Sequence, residues 1–255
     1  MDAKRIIVKV GSSTLTGSAG TSLNSAAVAQ LVDVVADLKR QNKEVIIVTS
    51  AAISAGMAPL GLTQRPTDLA TQQASASVGQ GLLIAKYSAE FTRHNIVASQ
   101  VLVTGDDLAR DLHKENAKRT LLRLLELGVV PIINENDSVG TEEIRLGDND
   151  RLAALVLQLI GADLLVLVSD IDALYDAPPT QAGANRIAKV TNFADLADIE
   201  IGGVGSSGVG SGGMVTKIQA AEIATSSGAS MLLTDLEHVE DALAGKDVGT
   251  LFTSN

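Results

Sequence analysis

Apolar residues follow two alternating rhythms along this chain. Short runs dominated by aliphatic residues have the length and composition of buried strands: Arg5 to Val10 (RIIVKV), Val45 to Val48, Ile96 to Val103, Val129 to Ile133, Leu164 to Val168 and Met231 to Leu233. Between them, apolar residues recur at helical spacing. Asn24 to Gln41 carries Val28, Leu31, Val32, Val35 and Leu38 on one face, with Asn24 or Ser25 placed to cap it. Thr67 to His94 predicts a long helix with a break near Gly79 or Gly81. Asp111 to Leu127 predicts a helix closed by Gly128, and Asn149 to Ile160 and Met214 to Ser227 predict two more. Strands alternating with helices predict βαβ units with right-handed crossovers. The expected fold is α/β, a three-layer αβα sandwich on an open, mainly parallel sheet. No linker or solenoid repeat divides the chain, so residues 1–255 are expected to form a single domain.

Composition narrows the chemistry. Aromatic residues are 2% of the chain and Trp is absent, so the core must be built from Val, Leu, Ile and Ala, which suits helices on a buried parallel sheet. There is no Cys, which excludes disulfides, thiolate zinc sites and a Cys nucleophile. His94, His113 and His238 form no ligand-spaced pair. The chemistry therefore falls to Lys, Asp, Asn, Ser and backbone amides. A net charge of −10 without a basic run argues against nucleic acid as a partner, and an anionic substrate would need local positive groups. The apolar run at the N-terminus is too short for a signal peptide. The longest apolar stretch, Leu152 to Val168, is broken by Gln158 and by Gly161-Ala162-Asp163 and reads as helix then strand, not a membrane span. A cytoplasmic protein with no membrane partner is expected.

Open α/β sheets bind ligands beyond the carboxyl ends of their strands. Four such segments stand out. In Lys9-Val10-Gly11-Ser12-Ser13, an ammonium at a strand end could reach phosphate oxygens, or Lys9 could be a surface lysine on an edge strand. Thr49-Ser50-Ala51-Ala52, before Ile53 to Gly56, either leaves room for a ligand at a helix N-terminus or packs helix tightly on sheet. Asn134-Glu135-Asn136-Asp137 follows a strand, and Gly147-Asp148-Asn149-Asp150 opens a helix. Capping accounts for Asp148 or Asn149, but carboxylates and amides gathered at two strand-end loops also suit an amino acid's ammonium. Gly202 to Gly213 holds seven glycines in twelve residues and runs into Met214-Val215-Thr216-Lys217. A flexible linker would not normally lead into an Ala-rich helix with Lys in its first turn, so a phosphate loop is the favoured reading. Gly203 to Gly208 matches G-x-G-x-x-G only formally, and no Walker A pattern is present.

Taken together, VKVGSSTLT at 8–16, VTSAAISAG at 48–56, PIINENDSV at 131–139, LGDNDRLAAL at 146–155, LVSDIDALY at 167–175 and GSGGMVTKIQAA at 210–221 resemble the amino acid kinase family, and within it the glutamate 5-kinases. The resemblance runs in order along nearly the whole chain. It implies an αβα sandwich that transfers the γ-phosphoryl group of ATP to the γ-carboxylate of L-glutamate, making L-glutamyl 5-phosphate in the first step of proline biosynthesis. By resemblance, Lys9 and Lys217 neutralise the transferring group and Asp150 orients them. Ser50, Asp137 and Asn149 hold glutamate. Lys9, Ser169, Asp170, Ser211, Gly212, Gly213, Met214, Val215, Thr216 and Lys217 contact ATP. Mg²⁺ rides on the phosphates with no protein ligand assigned. Proline as a feedback inhibitor, assembly as a homo-oligomer and glutamyl phosphate reductase as a partner are also implied. This agrees with the chemistry, since phosphoryl transfer depends on positioning and charge neutralisation and an ionised carboxylate needs no general base.

Three departures stand beside the resemblance. Members usually read Ser-Gly-Ala where this chain has Ser50-Ala51-Ala52, so the Ala51 methyl is expected to crowd the substrate or fix the loop. Ser211 replaces a common threonine, and either hydroxyl can serve. The kinase domain is expected to close just after Gly249-Thr250-Leu251-Phe252, without the C-terminal PUA domain of many members. Two rival readings remain: a family member acting on another carboxylate, and a non-catalytic ligand sensor on this scaffold.

Overall fold

A computed structural model of the protein describes residues 2–17, 20–140, 149–178, 180–181, 183–196 and 213–253. Eight strands form one sheet: β1 (Arg5–Val10), β2 (Glu44–Val48), β3 (Ala98–Val103), β4 (Val130–Glu135), β5 (Leu164–Ser169), β6 (Lys189–Val190), β7 (Ser230–Asp235) and β8 (Thr250–Phe252). They lie in the order β3-β4-β2-β1-β5-β7-β8-β6. All pairings are parallel except β7 with β8. The helices are α1 (Ser12–Leu15), α2 (Ser25–Arg40), α3 (Ala52–Met57), α4 (Leu69–Thr92), α5 (Gly105–Ala109), α6 (Asp111–Glu126), α7 (Asn149–Ile160), α8 (Met214–Ser226) and α9 (Val239–Leu243).

The period of two along each strand separates two cores. Ile6, Val8 and Val10 of β1 join Leu164, Val166 and Val168 of β5 against α2, α3 and α4. The alternate residues, Ile7, Leu165 and Leu167, face α6, α7 and α8. Two apolar faces covered by helices make the three-layer sandwich that the alternating pattern predicts. Among the described residues no helix is long and apolar enough to cross a membrane.

Several local expectations change. Asn24, not Ser25, caps α2, accepting from the N–H groups of Ala26 and Ala27 at 3.1 and 3.2 Å. The long helix is not broken at Gly79 or Gly81. Gly79 instead marks a contact between backbones: a Cβ there would lie 1.9 Å from Ala52 O of α3, and one on Gly56 would lie 1.9 Å from Ser75 O of α4. Asn134 and Glu135 belong to β4 and not to the loop behind it. Lys9 is on no edge. Its strand pairs with β2 at Val48 and with β5 at Leu167, which puts the lysine in the middle of the sheet.

Candidate active site

Lys9, near the end of β1, is 4% exposed, and Asp150, the second residue of α7, is 1% exposed. Their side chains meet, with Lys9 Nζ 2.5 Å from Asp150 Oδ1. Lys217, in the first turn of α8 and 7% exposed, reaches the other oxygen, Nζ to Oδ2 3.1 Å. The Thr216 hydroxyl lies 3.2 Å from that same oxygen. Three elements distant in sequence thus bring two ammonium groups onto one buried carboxylate. Charges buried this deeply are costly unless paired, so the arrangement is not a surface accident. The Asp150 carboxylate turns inward to the two lysines.

On the β2 and β4 side, Asn149 is buried at the start of α7. Its Nδ2 lies 2.5 Å from Thr49 O, 3.0 Å from Ser50 Oγ and 2.9 Å from Asn134 Oδ1. Ser50 and Asn149, expected together from the sequence, are therefore in contact. Asp137 stands half-buried in the turn that follows β4, its N–H donating to Glu135 O at 2.9 Å. Between Ser50 and α3, Ala51 has φ 78° and ψ 9° and is 7% exposed. That is the left-handed region, which costs a side-chain-bearing residue about 1–2 kcal/mol. The turn is one that glycine makes without strain, and the buried methyl lies within the loop.

On the β5 and β7 side, Ser169 ends β5 and its Oγ donates to Asp170 Oδ1 at 3.1 Å. Gly213 stands at the N-cap of α8 and brings no side chain of its own to cap it, so the first amides of this 13-residue helix suit an anion. Met214 and Val215 continue that first turn toward Thr216 and Lys217. Ser211 and Gly212, most of the glycine segment 202–213, and Gly147-Asp148 lie outside the described residues. Two buried ammonium groups and a helix N-terminus form a donor set suited to phosphate oxygens. Among the described residues, no cluster of three or more His, Asp and Glu side chains could hold a metal ion. Sequence reasoning placed Thr49 and Asn134 in candidate segments but gave neither a role: Thr49 acts through its backbone carbonyl, and Asn134 through an amide that lies in β4 and not in the loop after it.

The amino acid kinase family profile matches residues 4–235. A curated "Glutamate 5-kinase" of Streptomyces coelicolor is 56% identical over 251 residues, covering 98% of this chain and 67% of that protein. The one of Clavibacter michiganensis subsp. michiganensis is 52% identical over 250 residues and is covered over 94% of its own length. Among solved structures, carbamate kinase from Giardia lamblia bound to AMP-PNP superposes with a TM-score of 0.70 at 16% identity, covering 100% of this chain and 99% of that one. UMP kinase from Bacillus anthracis gives a TM-score of 0.65 at 14% identity, with 99% and 97% covered. These distant structures share the fold; the profile and the near relatives go further, and the chain belongs to the amino acid kinase family.

Proposed function

We propose that this chain transfers the γ-phosphoryl group of ATP to the γ-carboxylate of L-glutamate, releasing ADP and L-glutamyl 5-phosphate. The observation that carries the reading is the Lys9–Asp150–Lys217 cluster beside the Ser50–Asn149 contact. Relatives at 51 to 57% identity carry the name glutamate 5-kinase and supply the substrate.

A carboxylate oxygen of glutamate forms the new bond to the γ-phosphorus while the bond to the ADP oxygen breaks, and no proton need move. Charge on the phosphoryl oxygens redistributes along this path, and the Lys9 and Lys217 ammonium groups oppose it from fixed positions. Asp150 contributes by holding both in place, since a displacement of ~1 Å can cost about 10²-fold in rate. The amino acid lies on the β2 and β4 side, with Ser50 and Asn149 on its polar groups and Asp137 opposite its ammonium. ATP lies on the β5 and β7 side, with its phosphates at Lys9, Lys217 and the segment 211–217 and its nucleoside beside Ser169 and Asp170. Mg²⁺ would enter with the nucleotide and would screen phosphate charge, with no residue of this chain assigned to hold it.

The test is ADP release measured against a panel of carboxylates, with hydroxylamine trapping of the acyl phosphate. Turnover and trapped hydroxamate should require L-glutamate. Turnover on another amino acid in its place would reassign the substrate, and ATP binding without turnover on any carboxylate would make the chain a sensor.

A further inference from the structure

The hydrogen bonds around Asn149 extend beyond the site. Its Nδ2 carries two protons and is surrounded by three acceptors: Thr49 O, Ser50 Oγ and Asn134 Oδ1. Two of the residues supplying those acceptors are held from a single helix. Gln80, in the middle of α4 and 7% exposed, accepts at Oε1 from Asn134 Nδ2 at 2.9 Å. Tyr87, fully buried on the same helix, shares a 3.0 Å hydrogen bond with Thr49 Oγ1. Their positions differ by two helical turns, so both side chains leave the same face of α4. The helix comes this close because Gly79, beside Gln80, packs its backbone onto α3.

An asparagine amide is nearly symmetric in shape and opposite in chemistry at its two ends. Buried Asn134 must accept at Oδ1 from Asn149 and from the Glu135 N–H at 3.0 Å. Gln80 Oε1 gives its other end an acceptor. Turned by half a revolution, Asn134 would face an amino group with an amino group and a carbonyl with a carbonyl, both unfavourable where water is excluded. The Glu135 N–H and Gln80 Oε1 therefore act together to set which end of Asn134 meets Asn149. Asn134 Oδ1 and Thr49 O, both acceptors, in turn hold the Nδ2 end of Asn149 on their side.

We propose that Gln80 and Tyr87 are positioning residues for the amino-acid substrate: they fix the amide of Asn149 through Asn134 and Thr49 and touch neither substrate nor ATP. This rests on the reading that Asn149 holds that substrate. It makes α4 the wall that sets glutamate affinity, separately from the lysine cluster that sets turnover.

The test is steady-state kinetics on the full chain. Gln80→Met keeps the length of the side chain and removes the acceptor; Gln80→Glu keeps an acceptor. Gln80→Met should raise KM for glutamate about tenfold, with kcat and KM for ATP within about twofold of wild type, and Gln80→Glu, which keeps the acceptor but buries a carboxyl group, should raise it less than Gln80→Met. Asn149→Ala should raise KM for glutamate on its own, and Gln80→Met added to it should bring no further loss, because its effect passes through Asn149. An unchanged KM in Asn149→Ala would remove the substrate reading itself. A raised KM there, with Gln80→Met neutral or additive, would overturn the positioning role, as would a loss in Gln80→Met shared equally by glutamate and ATP. If Gln80→Met does not fold, Tyr87→Phe decides: it removes one hydroxyl, should raise KM for glutamate about threefold, and overturns the proposal if KM does not move.

Discussion

Lys9 Nζ stands 2.5 Å from Asp150 Oδ1, and the second oxygen of that carboxylate lies 3.1 Å from Lys217 Nζ. Asp150 is thus the counter-charge that allows two ammonium groups to be buried side by side. Its replacement has two separable consequences. Asp150→Asn leaves both lysines without that charge, which should lower stability by about 3 kcal/mol and the melting temperature by roughly 6–12 °C. Turnover should collapse and stay low at saturating glutamate and ATP. Adding Lys217→Met to Asp150→Asn removes the repulsion and should restore much of the melting temperature without restoring turnover. Calorimetry and initial rates on the three proteins check this. A double variant no more stable than Asp150→Asn would mean that the lysines do not repel at this distance.

Ala51 presents a second effect, of opposite sign. Its φ of 78° is comfortable for glycine and strained for alanine. Ala51→Gly should raise stability by about 1 kcal/mol despite the greater freedom of glycine in the unfolded chain. The same variant reports what the methyl does at the site. A lower KM for glutamate would mean that the methyl crowds the substrate. A higher KM would mean that it fixes the loop carrying Ser50.

Much of the fold was legible because most of its strands are predominantly apolar runs and its helices keep one face apolar. β6 and β8 were not, since two and three residues cannot display a period. At the site, Lys9 showed itself as a charge among apolar neighbours, and Asp150 and Lys217 as polar residues opening helices. Their meeting at one carboxylate comes from the sheet order, which no local pattern contains. Gln80 was invisible for a related reason. A glutamine within a helix reads as surface, and only the backbone contact at Gly79 brings it to β4. Ala51 stood out only through the resemblance, as an alanine where members usually carry glycine; its left-handed φ leaves no mark in the local sequence.

His238 gives a pH-dependent expectation. Its Nδ1 lies 2.8 Å from Asp235 Oδ1 at the end of β7. The hydrogen bond and charge of Asp235, with smaller effects from Glu237 and Asp172, hold the imidazole above its ordinary 6.5. A raised folded pKa means that the stabilisation is fully present below about 6.5 and is lost as pH rises through the folded value. Proton NMR should show His238 titrating above 6.5 in the wild type and nearer to it in Asp235→Asn. The melting-temperature gap between the two proteins should narrow from pH 6 to pH 9. A gap independent of pH would assign the effect to packing. His238 is partly exposed, so added salt should also shrink the gap.

Proline is a cyclic relative of glutamate with the same α-carboxylate and a nearby ammonium. If the site holds those groups through Ser50, Asp137 and Asn149, proline should compete with glutamate and not with ATP. Raising glutamate should then relieve inhibition completely, and Asn149→Ala should weaken both ligands together. Inhibition that saturating glutamate leaves intact would put proline at a separate site.

Two glycines on α4, two positions apart, should respond to the same substitution with opposite signs. Gly81 is exposed, and a Cβ there meets nothing within 4 Å. Gly81→Ala should therefore show only the gain in helix propensity, up to about 1 kcal/mol of added stability, with kinetics unchanged. At Gly79 a Cβ would lie 1.9 Å from Ala52 O and 2.4 Å from Gly56 N, both backbone atoms that no rotamer can move aside. Accommodating it requires α3 and α4 to separate, and α3 is the helix that follows Ser50 and Ala51. Gly79→Ala should cost about 3 kcal/mol. It should also raise KM for glutamate more than KM for ATP, because the loop moves with α3 while Lys9 and Lys217 stay with β1 and α8. Thermal melts and separate substrate titrations on the two variants distinguish this from a general loss of fold. If Gly79→Ala loses stability but keeps its glutamate KM, α3 can shift without carrying the Ser50 loop, and the glycine contact serves packing alone.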